Sequence, residues 1–435
     1  MITKLNFTDR TIKSYAIRKL TPKECFRLMG VRDNVIGTMQ SSNAQAAERL
    51  PDWKGKGKPE DMAISASQQY KQAGNSIVVD VLAHIYEQLF YPAPPKPRPG
   101  EQLSLFDDLE DTLPDLPPTD ADKNEEKIFL TTFSGYDSQL MAADVLKQWH
   151  PDFRWTCKGW SDIDKYACQM HNLVFPQFAD CALGDITKID WHKVKDSLHG
   201  REVDLFTYSS PCQDISQAGK QMGLQEGSDT RSALLWRVAD AVEVLRPKYL
   251  LQENVAALVS QKFMPDFQKW LDKLSSLGYV SRWARLNAKN YGVPQNRDRV
   301  FCLSMRKDVA FDYQFPEPFE LLTRLEDVLE EEVSDRYFLK DDAVSKFLKA
   351  NDSDNALFVQ FDLPPTHEAA MFLKTWLTLR MNTLNGWDME LDELRDCIEN
   401  ERDVLNSDFA SFNECHTFPC EGFEELFKEN MERKK

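Results

Sequence analysis

Along residues 128–308 short apolar runs alternate with helix-like stretches. Lys127-Ile128-Phe129-Leu130-Thr131-Thr132-Phe133 is apolar and rich in branched side chains, which predicts a buried strand. Ser134-Gly135 breaks it, and a helix is expected from about Ser138. Further strands are predicted at Phe153–Cys157, Val203–Tyr208 and Tyr249–Gln252. This alternation predicts an α/β fold with a mostly parallel, doubly wound sheet. In such sheets ligands gather at the carboxyl ends of the strands. The turns after the strands are therefore where chemistry is expected.

Outside that region the pattern changes twice. Ile77 to Leu89 predicts a helix, with Gly74 in the preceding turn and Ser76 as its cap. Residues 91–127 hold eight prolines in 37 positions, which predicts an extended tether. Its one apolar island is Gln102-Leu103-Ser104-Leu105-Phe106. Near the end, His367–Met381 and Asp388–Leu405 carry apolar residues at spacings of three and four, predicting helices.

The chain has 435 residues, long for one domain and suited to a large domain with a smaller lobe. Its net charge of −17 is uneven: residues 1–100 carry 15 Lys and Arg against 9 Asp and Glu, while residues 351–435 carry 8 against 19. Phosphate contact therefore falls to the basic N-terminal part, with Lys4, Lys13, Arg18, Lys19, Lys54, Lys56 and Lys58 as candidates. An ordinary solvated surface is the alternative for each. No run of about 18 apolar residues and no leader-like succession occurs, so neither a membrane span nor a signal peptide is expected. Nine cysteines at scattered spacings fit a reducing, cytoplasmic setting. Cys415, His416 and Cys420 supply three metal ligands where a structural zinc needs four, so no metal is assigned.

Three turns carry reactive groups in a fixed order: Ser210-Pro211-Cys212-Gln213, Glu253-Asn254-Val255 and Gln295-Asn296-Arg297-Asp298-Arg299. A nucleophile, an acid and two cations are what addition to a pyrimidine demands. Cytosine C5 becomes nucleophilic only after a thiolate adds to C6 while charge on N3 and O2 is neutralised. A lone cysteine is more often a small buried hydrophobe, and only the ordered set argues for reactivity.

With Phe133-Ser134-Gly135, Gly184-Asp185-Ile186 and Asn290-Tyr291-Gly292-Val293-Pro294-Gln295-Asn296-Arg297, the region from about Phe129 to Asp308 resembles the catalytic core of bacterial and phage DNA (cytosine-5) methyltransferases. The resemblance implies a Rossmann-like, S-adenosylmethionine-dependent methyltransferase fold with a smaller lobe. It implies Cys212 as thiolate, Glu253 at N3, and Arg297 and Arg299 at O2, where they also favour the thiolate. For the cofactor it implies Phe133, Gly135, Tyr136, Pro211, Leu234, Asn75 and Ser76. Asp162 is placed to meet ribose hydroxyls, Ile163 the adenine face, Asp185 the adenine amino group and the Ile186 amide the ring. The family's second glycine of Phe-x-Gly-x-Gly is Asp137 here, a carboxylate expected near the sulfonium.

Arg18–Glu24 and Tyr70–Ser76 resemble the family's ninth and tenth motifs, which ordinarily come last. The chain thus resembles a circularly permuted member. The organisation expected is 1–90 completing the catalytic fold, 91–127 a linker, 128–310 the catalytic and cofactor core, 311–350 a following segment and 351–435 an acidic helical module. Gln102–Phe106 resembles a sliding-clamp-binding peptide, or else anchors back on the enzyme itself. Double-stranded DNA is the expected substrate and a monomer the expected state. An RNA-methylating relative and a catalytically silent binding relative are the rivals. No target-recognition region is recognisable, so the target sequence is not legible.

Overall fold

The computed structural model describes residues 2–6, 10–15, 17–40, 64–92, 125–210, 234–339, 356–361, 363, 366–384, 386–415, 418–419 and 422–432. Pro211, Cys212, Gln102–Phe106, Lys54, Lys56, Lys58, His416 and Cys420 lie outside them. The chain divides into two compact units, Pro22–Leu329 and a second built from both chain ends, Met1–Thr21 with Glu330–Lys435. The first 21 residues thus keep company with the acidic C-terminal part, and only 22–90 of the expected 1–90 segment joins the catalytic core region.

In chain order the described strands are β1 (Ile2–Asn6), β2 (Thr11–Tyr15), β3 (Lys127–Thr132), β4 (Trp155–Ser161), β5 (Leu205–Tyr208), β6 (Tyr249–Val255), β7 (Tyr279–Asn287), β8 (Asp298–Arg306) and β9 (Ala356–Gln360). The larger unit holds helices α1 (Pro22–Arg27), α2 (Asp33–Gln40), α3 (Ala66–Asn75), α4 (Val79–Phe90), α5 (Ser138–Trp149), α6 (Lys165–Val174), α7 (Trp191–Ser197), α8 (Leu235–Leu245), α9 (Met264–Ser276) and α10 (Leu325–Val328).

Its six-stranded sheet runs β4-β3-β5-β6-β8-β7. β3, β4, β5 and β6 are parallel, while β8 runs antiparallel to both of its neighbours. β3 and β5 are buried along their whole length, as strands covered by helices on both faces must be. One face sets Phe129, Leu205, Leu251 and Leu303 against α4 and α5. The other sets Ile128, Phe206, Leu250 and Val300 against α8 and α9, where Phe267 and Trp270 are buried.

Helix α4 comes from ahead of the proline-rich stretch, yet it fills the same core as α5. Val81, Leu82, Ile85 and Leu89 are buried, each worth about 1.5–3 kcal/mol on leaving water. The gross gain is on the order of 10 kcal/mol as an upper bound. That burial holds this segment against the sheet from ahead of the proline-rich stretch.

Several element boundaries differ from expectation for physical reasons. β4 starts two residues later than predicted and ends at Ser161, because Phe153 leaves the strand register to pack on Phe90 and Phe129. β6 continues through Val255, since β8 offers partners for Glu253, Asn254 and Val255. Glu253 therefore sits inside a ladder, not beyond it. Ser76 does not cap the helix that follows: it closes α3, which contains Gly74, and α4 begins after Val78 with no side-chain cap.

The smaller unit sets a β2-β1-β9 antiparallel sheet with helices α11 (His367–Leu384), α12 (Leu391–Asn400), α13 (Arg402–Cys415) and α14 (Phe423–Glu432). The predicted Asp388–Leu405 helix is split at Glu401, whose backbone leaves helical geometry at φ −99° and ψ 5°. Leu5 and Ile12 share a core with Phe372, Leu377, Phe412 and Phe423. Lys4 and Lys13 occupy directly opposed positions in the β1–β2 register. Arg18 bridges to Phe338, and the Lys19 amide donates to the Tyr337 carbonyl. Among the described residues no helix is long and apolar enough to cross a membrane.

Candidate active site

The reversal of β8 brings its first residues to the carboxyl end of β6. Arg299 pairs with Val255 and Phe301 with Glu253, so the side chains of Arg299 and Glu253 share one face of the sheet. Arg299 Nε lies 3.1 Å from Glu253 Oε1. Glu253 is 8 % exposed. Burial pushes its carboxyl up from the usual range, against the opposing pull of the Arg299 and Arg297 guanidiniums and the Ser209 hydroxyl. A carboxyl held this way keeps a proton to donate further up the pH scale than a solvated one.

Arg297 does something else with its hydrogen bonds. Its Nη2 donates to the carbonyls of Gly74 at 2.9 Å and Ser76 at 2.6 Å. The two arginines, expected side by side, are thus divided: Arg299 stands at the acid, while Arg297 clasps the end of α3. Gly292 sits at φ 84°, reversing the chain after the short helical turn Ala288–Tyr291. Gln295 Nε2 donates to the Leu28 carbonyl at 2.7 Å, a second tie between this segment and the part of the chain ahead of the proline-rich stretch. Asn75 ends α3 and Ser76 follows it, so both stand where Arg297 reaches.

The loop after β3 is tied to β4. Ser134 N and Oγ both donate to the Ser161 carbonyl, and Gly135 N donates to Asp162 Oδ2 at 2.8 Å. Asp162 Oδ1 accepts from Asp164 N, and burial pushes its carboxyl up. Each Asp162 oxygen accepts only one of these bonds, which leaves acceptor capacity for a further donor. Ile163 beside it is 75 % exposed, unusual for an isoleucine. Asp185 accepts from the Thr187 backbone and hydroxyl, which hold its carboxyl below the usual range, while Ile186 is buried. Leu234 stands half-buried at the start of α8.

Two residues of this loop differ from expectation. Tyr136 turns its ring into the core, edge-on to Phe26 at 5.6 Å. The acidic Asp137 is fully buried and faces inward as the cap of α5. Its oxygens face the Leu140 amide, the Thr131 hydroxyl and His171, so the loop is not lined by its charge. His171 and Ser161 were missed from the sequence because a histidine and a serine in apolar surroundings read as filler. The replacement of glycine by Asp137 was the one signal pointing to His171, which it faces.

Cys212 and Pro211 lie outside the described residues, but the chain leading to them does not. Ser209 and Ser210 leave β5 next to β6, where Asn254 Nδ2 donates to the Ser210 carbonyl at 3.4 Å. The strand carrying the acid and the strand leading to the thiol are thus joined one residue from Glu253.

A family model for C-5 cytosine-specific DNA methylases matches residues 2–91 and 140–377. The chain belongs to this family. Among curated methylases it is 47 % identical over 162 residues to the type II methyltransferase M2.ScrFI of Lactococcus lactis subsp. cremoris, covering 37 % of this chain and 43 % of that one. To M1.ScrFI of the same organism it is 35 % identical over 184 residues, 42 % and 44 % of the two chains. To the orphan methyltransferase M.SssI of Spiroplasma monobiae it is 47 % identical over 108 residues, 24 % and 28 %. The matched span is less than half the length of each of these methylases.

Proposed function

We propose that the protein is an S-adenosylmethionine-dependent DNA (cytosine-5) methyltransferase acting on a cytosine turned out of the duplex. The observation that carries this reading is the buried Glu253–Arg299 pair, at a strand end joined to the one leading into Pro211-Cys212. An acid whose hold on its proton burial strengthens, beside a fixed guanidinium, is suited to an N3 and O2 edge. The C6 carbon is inaccessible in stacked DNA, so the base must leave the stack.

The Cys212 thiolate adds to C6, forming the S–C6 bond. The C5=C6 electrons shift to C4=C5 as N3 takes the Glu253 proton, and Arg299 stabilises charge at O2. C5 is then the nucleophile. S-adenosylmethionine, when bound, supplies the methyl group that C5 takes. Water removes the C5 proton, the C5=C6 bond reforms, the thiolate leaves and N3 returns its proton to Glu253.

Support for the cofactor comes from the other strand ends. Gly135 has φ 59° and a side chain there would meet nothing within 4 Å, so the loop borders open space. The exposed Ile163 offers an apolar face beside Asp162. The hydroxyls of Thr132 and Thr207 are buried without a hydrogen-bond partner among the described residues. Phe133, Gly135, Asp162, Ile163, Asp185, Ile186, Leu234, Asn75 and Ser76 would hold the adenosyl and methionine parts.

The test is methyl transfer to duplex DNA, with transfer RNA as competitor, and trapping on a 5-fluorocytosine oligonucleotide. Wild type should methylate the duplex and form a covalent adduct. Cys212→Ala should do neither. Residual transfer by that variant would sink the mechanism, and preference for transfer RNA would sink the substrate.

A further inference from the structure

Three alternate positions of the loop after β3 lie in the left-handed region: Phe133 at φ 54°, Gly135 at 59° and Asp137 at 68°. Only one of them is glycine. Side chains rarely adopt this conformation, and strained backbone persists where surrounding contacts over-determine it. For this loop the contacts are visible, and one set runs through the interior.

We propose that Asp137 and His171 form an interior latch that holds the cofactor loop in its binding geometry, making Asp137 a positioning residue for the adenosyl cofactor. This rests on the cofactor reading above. Both side chains are fully buried. Asp137 Oδ1 accepts from Leu140 N at 3.3 Å, and Oδ2 accepts from the Thr131 hydroxyl at 2.7 Å. His171 Nε2 stands 3.4 Å from the same Oδ2, in contact but outside hydrogen-bond geometry. His171 belongs to α6 and is itself fixed by stacking on Trp160 of β4, centroids 3.9 Å apart and 21° from parallel. The latch therefore ties the loop to the β4–α6 unit from below. From the other side the same unit holds Gly135 N through Asp162. Gly135, between the two ties, cannot shift without breaking one of them.

The chemistry of position 137 explains the residue. Glycine would accept the backbone conformation but supply none of the three contacts. Alanine would supply neither. Asparagine tolerates the left-handed region and keeps an oxygen for the helix cap. A loop held in advance binds more tightly because less order is lost on binding.

The experiment compares wild type with Asp137→Asn, Asp137→Gly and His171→Phe, the last keeping a ring against Trp160. Binding of S-adenosylhomocysteine is measured by titration calorimetry, KM for the methyl donor and kcat by methyl transfer, and folding by thermal melting. Asp137→Gly and His171→Phe should weaken binding and raise KM by about tenfold, with kcat at saturating donor changed by less than about threefold. Asp137→Asn should recover most of the affinity. Folded Asp137→Gly or His171→Phe that binds like wild type would overturn the latch. Should Asp137→Gly show no cooperative melt, the comparison of Asp137→Asn with His171→Phe decides, and equal affinities there count against it. A wild type that does not bind the probe would instead sink the cofactor reading beneath it.

Discussion

Glu253 is an acid buried within β6, with the Arg299 guanidinium 3.1 Å away. The acid role proposed for it rests on the company of Cys212 and the arginine segment in the sequence, and its place within β6 on β8 pairing beside it. Arg297 was less legible, because its partners are carbonyls 221 and 223 positions away in the chain. The raised carboxyl of Glu253 has a consequence for stability. A carboxyl whose folded value exceeds the unfolded 4.5 binds more protons when folded, so stability is fullest below 4.5 and falls as pH rises through the folded value. Glu253→Gln should remove that slope, worth about 1.4 kcal/mol for each pH unit of displacement. The same change should cut kcat by about a hundredfold or more through loss of the proton donor. Urea melts of both proteins across pH 4 to 8 check the first. A wild-type profile parallel to the variant's would show that the carboxyl is not displaced.

At the scale of elements, the strand–helix alternation was legible because buried parallel strands are short apolar runs, and that signal survives in a single sequence. Boundaries were less so. Phe153 reads as strand yet packs as a loop residue on Phe90 and Phe129, distant in sequence, and Ser76 reads as an N-cap yet its amide closes the preceding helix on the Ala73 carbonyl. The packing of α4 against α5 was not legible in advance; the family's motif order led only to the expectation that residues 1–90 complete the catalytic fold. That packing makes a prediction about energy: Ile85, fully buried on α4, contributes to the same core as Phe129 and Leu140. Ile85→Ala should destabilise the larger unit by about 2–5 kcal/mol. Chemical denaturation followed by tryptophan fluorescence measures it. A loss below about 1 kcal/mol would mean α4 is a surface appendage.

For the whole molecule, the sequence suggested that everything ahead of the tether completes the catalytic fold, and contacts divide it at Thr21. The reason is invisible locally: β1 is short, and its nature as a central strand depends on β9, some 350 positions later. Removing β1 together with β2 leaves β9 with no partner strand, and Leu5 and Ile12 take part of the core beneath α11 with them. Unpaired edges and an opened core face are strongly destabilising in a small unit. Deleting residues 2–15 should therefore speed amide exchange across His367–Glu432 by at least about tenfold, as expected for a loss of 1.4 kcal/mol or more. Exchange across β3 and α5 should stay unchanged, because those elements take their core from the larger unit. Exchange mass spectrometry on the full chain and the truncated one resolves the two regions separately. Faster exchange in β3 and α5, with the C-terminal helices unaltered, would restore the undivided N-terminal segment.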